Sequence, residues 1–334
     1  MSSKQDATRT RVLQLGAGPT ALSCLDALVE RFHVVGLVRA CRSEEGEREA
    51  TIRRAREVGV PVLQDDSLEA LETSIDKLTP ECVVVSSHGR ILPPRLLEKS
   101  RFINVHYAPL PKYRGRANVN WAIINSEPYA GITIHTISPG LDAGNILYQE
   151  IIEVSEGDDV ASLYDRLNSI QRNQIAGVVQ DHLNGYEGVS QDERQATYGC
   201  TRVPDDGEID WSRPAIEIQR LVRALVPPFP GAFTYFQGRR LLIWRAEAVV
   251  DPPRYDGRVP GRVVAYSRKT GTVDVLAGEG VVRLYDVQRA TGKREPAAHV
   301  VTSVRETLGL RTSELLARIE QLERLLAERP TAAC

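Results

Sequence analysis

The sequence predicts an α/β fold: a Rossmann-like domain with a parallel sheet, then a smaller domain of short strands, then a terminal helix. Three observations predict it. The first hundred residues alternate apolar strand-like runs with segments of helical period. Beyond residue 200, short strands alternate with turns instead. A length of 334 residues is enough for two cores.

Arg11 to Leu15 reads as a buried strand, Gly16-Ala17-Gly18-Pro19 as a tight turn, and Thr20 to Arg31 as a helix burying Leu22, Leu25, Ala27 and Leu28. Val34 to Val38 completes a βαβ opening. Gly16-x-Gly18-x-x-Ala21 fits the loose dinucleotide fingerprint, so an NAD- or NADP-dependent oxidoreductase is a rival from another class. Two residues weaken it. The second strand ends in Arg39 rather than a ribose-binding acid, and Pro19 denies the helix start an N–H that a pyrophosphate would use. A glycine turn that lets helix and strand pack closely is the better expectation. Glu44 to Val58 and Leu68 to Leu78 read as helices around a short strand at Pro61 to Leu63. Glu81 to Ser86 is a central apolar strand stopping at Ser86-Ser87-His88-Gly89-Arg90. Ligands collect at the carboxyl ends of such strands.

The most unusual polar residues lie between Arg101 and Glu150. Phe102, Ile103 and Val105 form a strand, so period-two alternation sends Asn104 and His106 to one side. Pro109, Pro111 and Gly115 forbid regular structure next; Asn118 to Asn125 forms a short helix, Gly131 to Ile137 a strand, and Gly140 to Gly144 a turn carrying Asp142. An amide, an imidazole and a carboxylate at two strand ends suit acyl transfer without a covalent enzyme intermediate. Asn104 is the candidate oxyanion donor, worth roughly 3–4 kcal/mol in comparable sites. His106 is the candidate proton carrier, oriented by Asp142. On spacing alone, an Asn-x-His pair on a strand is more often a satisfied surface or core pair.

Composition bounds the partners. The chain is 42% hydrophobic and 26% charged with a net charge of −2, which leaves no overall electrostatic footprint for nucleic acid. No apolar run approaches a membrane span and the first residues lack a signal-peptide core, so a cytoplasmic location is expected. Five cysteines, at 24, 41, 82, 200 and 334, include no C-x-x-C pair; reduced thiols and no metal are expected.

The central stretch resembles the folate-dependent formyltransferases. Their pattern is matched by Asn104-Val105-His106, Leu110-Pro111-Lys112-Tyr113-Arg114-Gly115, Thr133-Ile134-His135 and Asp142-Ala143-Gly144, in order. Ala196 to Ala248 resembles the second domain of those enzymes, so the likeness covers roughly residues 10 to 290. One departure is Tyr107-Ala108-Pro109 after His106, where the family carries a Ser-Leu-Leu-Pro run; Tyr107 and Pro109 are expected to reshape the rim of the site. The resemblance implies catalysis by Asn104, His106 and Asp142 and use of 10-formyltetrahydrofolate. It implies a pteridine held by His88, Gly89 and Arg90, by Ser138, Pro139, Gly140, Leu141 and Asp142, and by Arg116. Substrate contacts are expected from Tyr113, Arg114, Trp121 and Arg202. His135 is expected to be a structural neighbour of the site.

Asp158 to Leu183 is a long amphipathic helix closing a catalytic domain at residues 1–190. A linker is expected at 191–203, a second domain at 204–298 and a helical extension at 299–334. The second domain opens with a helix at Pro214 to Leu225, and its strands are expected at Ala232–Phe236, Arg240–Val249, Gly261–Tyr266, Val273–Leu276 and Val281–Val287. They suit a small barrel, which the resemblance makes OB-like. Between Cys200 and Ala298, sixteen Lys and Arg face twelve Asp and Glu, a thin excess for binding tRNA. Tyr113 to Ala117, Asn120-Trp121, Arg202 to Gly207 and Pro230 to Phe233 are similar to sugar N-formyltransferases, such as the formyltransferase part of the enzyme acting on UDP-4-amino-4-deoxy-L-arabinose. A nucleotide-linked amino sugar is therefore the expected acceptor, with methionyl-tRNA second and another small or carrier-bound amine third. Last, Leu315, Ile319, Leu322 and Leu326 recur at heptad spacing within Thr312 to Arg329, before Pro330, and either pack back on the second domain or pair two chains.

Overall fold

The computed structural model describes residues 9–39, 45–63 and 67–327. Cys41, Cys334, the expected helix start at Glu44 and the Pro330 stop lie outside them. The chain divides into two compact units, with Met1–Ala122, Glu127–Gly157 and Ser162–Thr201 in the first and Ile123–Ser126, Asp158–Ala161 and Arg202–Cys334 in the second.

In the first unit the strands are β1 (Arg11–Gly16), β2 (His33–Val38), β3 (Val62–Leu63), β4 (Cys82–Ser86), β5 (Arg101–His106), β6 (Arg114–Gly115), β7 (Tyr129–Thr136), β8 (Ile146–Glu153) and β9 (Tyr198–Gly199). Between them run α1 (Gly18–Arg31), α2 (Glu45–Glu57), α3 (Leu68–Leu78), α4 (Pro94–Leu97), α5 (Asn118–Ile124) and α6 (Val160–Leu183). Seven strands form one sheet in the order β3-β2-β1-β4-β5-β7-β8. Strands β3 to β5 pair in parallel, whereas β7 runs antiparallel to both β5 and β8, so the expected parallel sheet is mixed at one edge. Its core gathers Leu13, Leu15, Val83, Val85, Leu71, Ile75 and Phe102. The parallel strands are apolar on both faces because helices cover both.

The glycine turn after β1 has a packing cause. A Cβ on Gly16, whose φ is +145°, would lie 1.7 Å from the Ser86 carbonyl oxygen. Only glycine lets β1 and β4 end this close together. The dinucleotide reading of that glycine is not needed.

The second unit carries α7 (Ala215–Ala224), then β10 (Ala232–Phe236), β11 (Arg239–Ala248), β12 (Val263–Ser267), β13 (Thr272–Leu276), β14 (Val281–Arg289) and β15 (Arg294–Pro296), then α8 (Ala297–Val300) and α9 (Thr312–Ala327). The antiparallel sheet runs β10-β11-β14-β13-β12, with β15 also on β14. The second domain is thus antiparallel β, in agreement with the fold class expected, and among the described residues no ladder joins β10 to β12. No described helix is long and apolar enough to cross a membrane.

Candidate active site

Antiparallel pairing of β5 with β7 sets Asn104 opposite His135 and His106 opposite Thr133. A loop from the end of β7 returns Asp142 to the same place, at a φ of +47° that few non-glycine residues adopt. Asp142 then lies between the two histidines: its Oδ2 is 3.6 Å from His106 Nδ1 and its Oδ1 is 3.7 Å from His135 Nε2. The Asn104 amide nitrogen donates towards Asp142 Oδ1 at 3.4 Å and sits 3.1 Å from His135 Nε2. The three residues that the sequence singles out are therefore in one cluster, with His135 as a fourth member.

His135 has one consistent protonation pattern. Its Nδ1 is 2.8 Å from the Thr136 carbonyl, a pure acceptor, so Nδ1 carries the hydrogen and Nε2 keeps a lone pair for the Asn104 amide. Burial lowers its pKa to about 4, and nearby His106 pushes the same way, so the ring is neutral at pH 7. His106 differs. Its Nε2 is 2.8 Å from the Tyr113 carbonyl, with the Asn118 amide 3.0 Å from the same nitrogen, and its Nδ1 faces Asp142. With a hydrogen on Nε2 the ring donates to the Tyr113 carbonyl and presents Nδ1 to the Asp142 carboxylate.

A second layer of contacts holds Asp142. The Gly115 N–H donates to its Oδ2 at 2.8 Å. Gln191 Nε2 donates to the carbonyls of Asp142 and Gly144 at 2.8 and 2.7 Å, while Gln191 Oε1 accepts from Arg114 Nη2 at 2.8 Å. Arg114 also donates to both carboxylate oxygens of Glu193, at 2.7 and 2.8 Å. β6 pairs with β9, and the Tyr113 N–H donates to Thr197 Oγ1. Residues 191–199, expected as a linker, are thus part of the site's support. Sequence reading missed Gln191, Glu193 and Asn118 because their partners lie 12 to 79 residues away and no local pattern marks them.

One of the expected substrate contacts has another task. Arg114 is 2% exposed and its guanidinium is turned inward onto Gln191 and Glu193, so it anchors the loop instead of meeting substrate. Arg202 belongs to the second unit, where its Nη2 donates to the Asp206 carbonyl. Tyr113 bonds Glu127 through its hydroxyl, and Trp121 donates from Nε1 to the Cys200 carbonyl. The loop Ser138 to Asp142 lies beside the cluster, with Leu141 50% exposed. The loop of His88, Gly89 and Arg90 leaves the end of β4, and Arg116 donates to the Gly89 carbonyl at 2.7 Å, tying it to the loop that carries Gly115. Tyr107 does not form the rim: its hydroxyl is held between Asn168 and Gln171 of α6. Among the described residues no cluster of three or more His, Cys, Asp or Glu could hold a metal ion.

Comparison with known proteins places this geometry in a family. The Formyl transferase family matches residues 41–179, and the family's C-terminal domain matches residues 203–305. The chain is 32% identical over 297 residues to the methionyl-tRNA formyltransferase of Caldanaerobacter subterraneus, covering 85% of this chain and 94% of that one. It is 30% identical over 315 residues to the methionyl-tRNA formyltransferase of Geobacter sulfurreducens, covering 91% and 97%. Among solved structures, an N-formyltransferase from Helicobacter canadensis in complex with folinic acid and dTDP-3-aminofucose shares the fold with a TM-score of 0.62, at 18% identity and covering 82% of this chain and 98% of that one. HypX from Aquifex aeolicus in complex with tetrahydrofolic acid gives 0.61 at 19% identity, covering 89% of this chain and about half (48%) of that one. With both family domains matched in order and near-full-length relatives at 30% identity or more, the chain belongs to the folate-dependent formyltransferase family.

Proposed function

We propose that this protein transfers a formyl group from 10-formyltetrahydrofolate to the α-amine of methionyl-tRNA. The observation that carries the acceptor is that relatives named for this activity align with 92–97% of their own length. The sugar N-formyltransferases share the fold at 14–18% identity, which carries no acceptor. The amino-sugar expectation drawn from local motifs is therefore second. One feature favours it: Arg213, Arg245, Arg283 and Arg289 are each ion-paired with Glu217, Glu247, Asp274 and Glu295, which cuts the cationic surface available to phosphates.

The folate supplies the formyl group on its N10. The fit to such a flat, hydrogen-bonding ring system rests on two loops at strand ends, 86–90 and 138–142, which offer backbone groups, and on exposed Leu141. In the reaction the Asn104 amide, held by neutral His135, turns a hydrogen to the oxygen that gains charge as the amine attacks. The amine nitrogen bonds to the formyl carbon and the bond from that carbon to folate N10 breaks, so tetrahydrofolate leaves. His106, with its Nε2 on the Tyr113 carbonyl, takes the proton the amine loses at Nδ1, beside the Asp142 carboxylate, and returns it to N10. No enzyme nucleophile is needed.

The test is incubation with 10-formyltetrahydrofolate and either methionine-charged initiator tRNA or a panel of UDP- and dTDP-linked amino sugars. The product is read by a mass gain of one formyl group. Formylation of the charged tRNA supports the proposal; formylation of a sugar alone overturns it in favour of the second reading.

A further inference from the structure

We infer that Gln191 is a positioning residue for formyl transfer, fixing Asp142 against His106 and Asn104 through a clamp it forms with Arg114 and Glu193. The inference rests on catalysis by that cluster and not on the identity of the acceptor. Residue 191 falls between the two family domains, whose matches end at 179 and resume at 203.

The geometry is specific. Gln191 uses both ends of its amide: Nε2 reaches the carbonyls of Asp142 and Gly144 at 2.8 and 2.7 Å, and Oε1 takes Arg114 Nη2 at 2.8 Å and Nε at 3.3 Å. Arg114 is buried between Tyr113 and Gly115 in the chain, and these neighbours make the two backbone contacts to the catalytic pair, Tyr113 O with His106 and Gly115 N–H with Asp142, each at 2.8 Å. One guanidinium and one amide therefore fix His106 and Asp142 together. Such fixing has work to do, because Asp142 sits at a strained φ of +47°. Its contact to Asn104 at 3.4 Å lies at the limit of hydrogen bonding, and that to His106 at 3.6 Å lies just beyond it. At that limit a displacement of well under 1 Å makes or breaks the interaction, and misplacement of about 1 Å costs on the order of a hundredfold in rate.

Glu193 sets the far end of the clamp. Its side chain is 65% exposed, so its pair with Arg114 is screened by water and contributes less than the half-buried amide contacts of Gln191. The order of importance is Gln191, then Glu193.

The test uses full-length protein at saturating 10-formyltetrahydrofolate with methionine-charged initiator tRNA, alongside thermal unfolding of each variant. Gln191→Leu is expected to lower kcat by about 10- to 100-fold with the KM for the folate within about threefold, since the loss falls on transition-state contacts. Gln191→Glu keeps an acceptor for Arg114 but loses both N–H donors, and it should fall as far; this variant also carries the test if the leucine variant does not fold. In an Asp142→Asn background, Gln191→Leu should cost less than about twofold, because residues acting through one another are not additive. Full additivity, or a kcat within about twofold of the parent in both Gln191 variants, overturns the inference. If the parent is inactive on charged tRNA, the acceptor assignment fails and the clamp is read from 15N shifts of the His106 ring. Those shifts should move in the same direction in Gln191→Leu and Asp142→Asn, and an unmoved His106 in Gln191→Leu overturns it.

Discussion

Asn104 has two amide hydrogens and three claims on them. His135 Nε2 takes one at 3.1 Å and Asp142 Oδ1 the other at a weak 3.4 Å, so the hydrogen free to turn to an oxyanion is the one on Asp142. Asn104→Ala, His106→Ala and Asp142→Ala are each expected to lower kcat by about a hundredfold or more while folate binding stays measurable by calorimetry. Near-normal turnover in a folded variant removes that residue from the mechanism. His135 gives a pH prediction. Its folded pKa of about 4 is below the usual 6.5, so the unfolded chain binds the extra proton between those values. Stability therefore falls as pH drops from 6.5 to 4 and is unaffected by this group above that window. His135→Gln should flatten the fall in thermal midpoint over that range; an identical slope in both proteins would count against a neutral buried ring.

Among elements, the loop from β7 to β8 is tightly constrained. A Cβ on Gly144 would lie 1.7 Å from the Thr136 carbonyl oxygen, and Asn145 bonds Thr136 through both its N–H and its carbonyl. Gly144→Ala must therefore push the Asp142 turn outward. A destabilisation of about 1–3 kcal/mol is expected, with a loss of kcat. Gly177, within α6 and with nothing within 4 Å of a built Cβ, is the control: Gly177→Ala should stabilise by about 0.5–1 kcal/mol. Equal thermal midpoints for the two variants would refute the packing argument.

For the whole molecule, α9 decides between the two expected fates of its heptad seam. Leu315, Ile319 and Leu322 are 45–49% exposed, so the seam is not buried on the described residues; the side chain of Leu326 lies outside them. Leu315 and Leu322 at one core position and Ile319 and Leu326 at the other, with Arg318 and Glu323 at complementary flanking positions, are compatible with a parallel two-stranded pairing. Full-length protein is expected to be a concentration-dependent dimer by light scattering. Removal of residues 311–334 should leave a monomer that still transfers formyl groups. A full-length monomer at tens of micromolar would exclude this pairing.

The sequence by itself determined the order of strands β1 to β5 and of the longer helices between and after them, because buried parallel strands and amphipathic helices impose local periods that need no partner to be read. Asn104, His106 and Asp142 are residue types suited to proton and oxyanion chemistry, and it was their resemblance to the formyltransferase pattern, not their spacing alone, that singled them out. Strand β8 escaped because Ile146–Glu153 mixes two faces, and the edge reversal of β7 escaped because pairing direction is a relation between strands. The role of Arg114 was misread for a related reason: a surface-seeking side chain becomes an anchor only when Gln191 and Glu193 arrive from 77 and 79 residues away. Local periodicity is written in neighbouring residues. The partners that orient the Asp142 carboxylate are brought by the chain's return, so only the tertiary structure decided which side chains hold Asp142 and which lone pair of His135 faces Asn104.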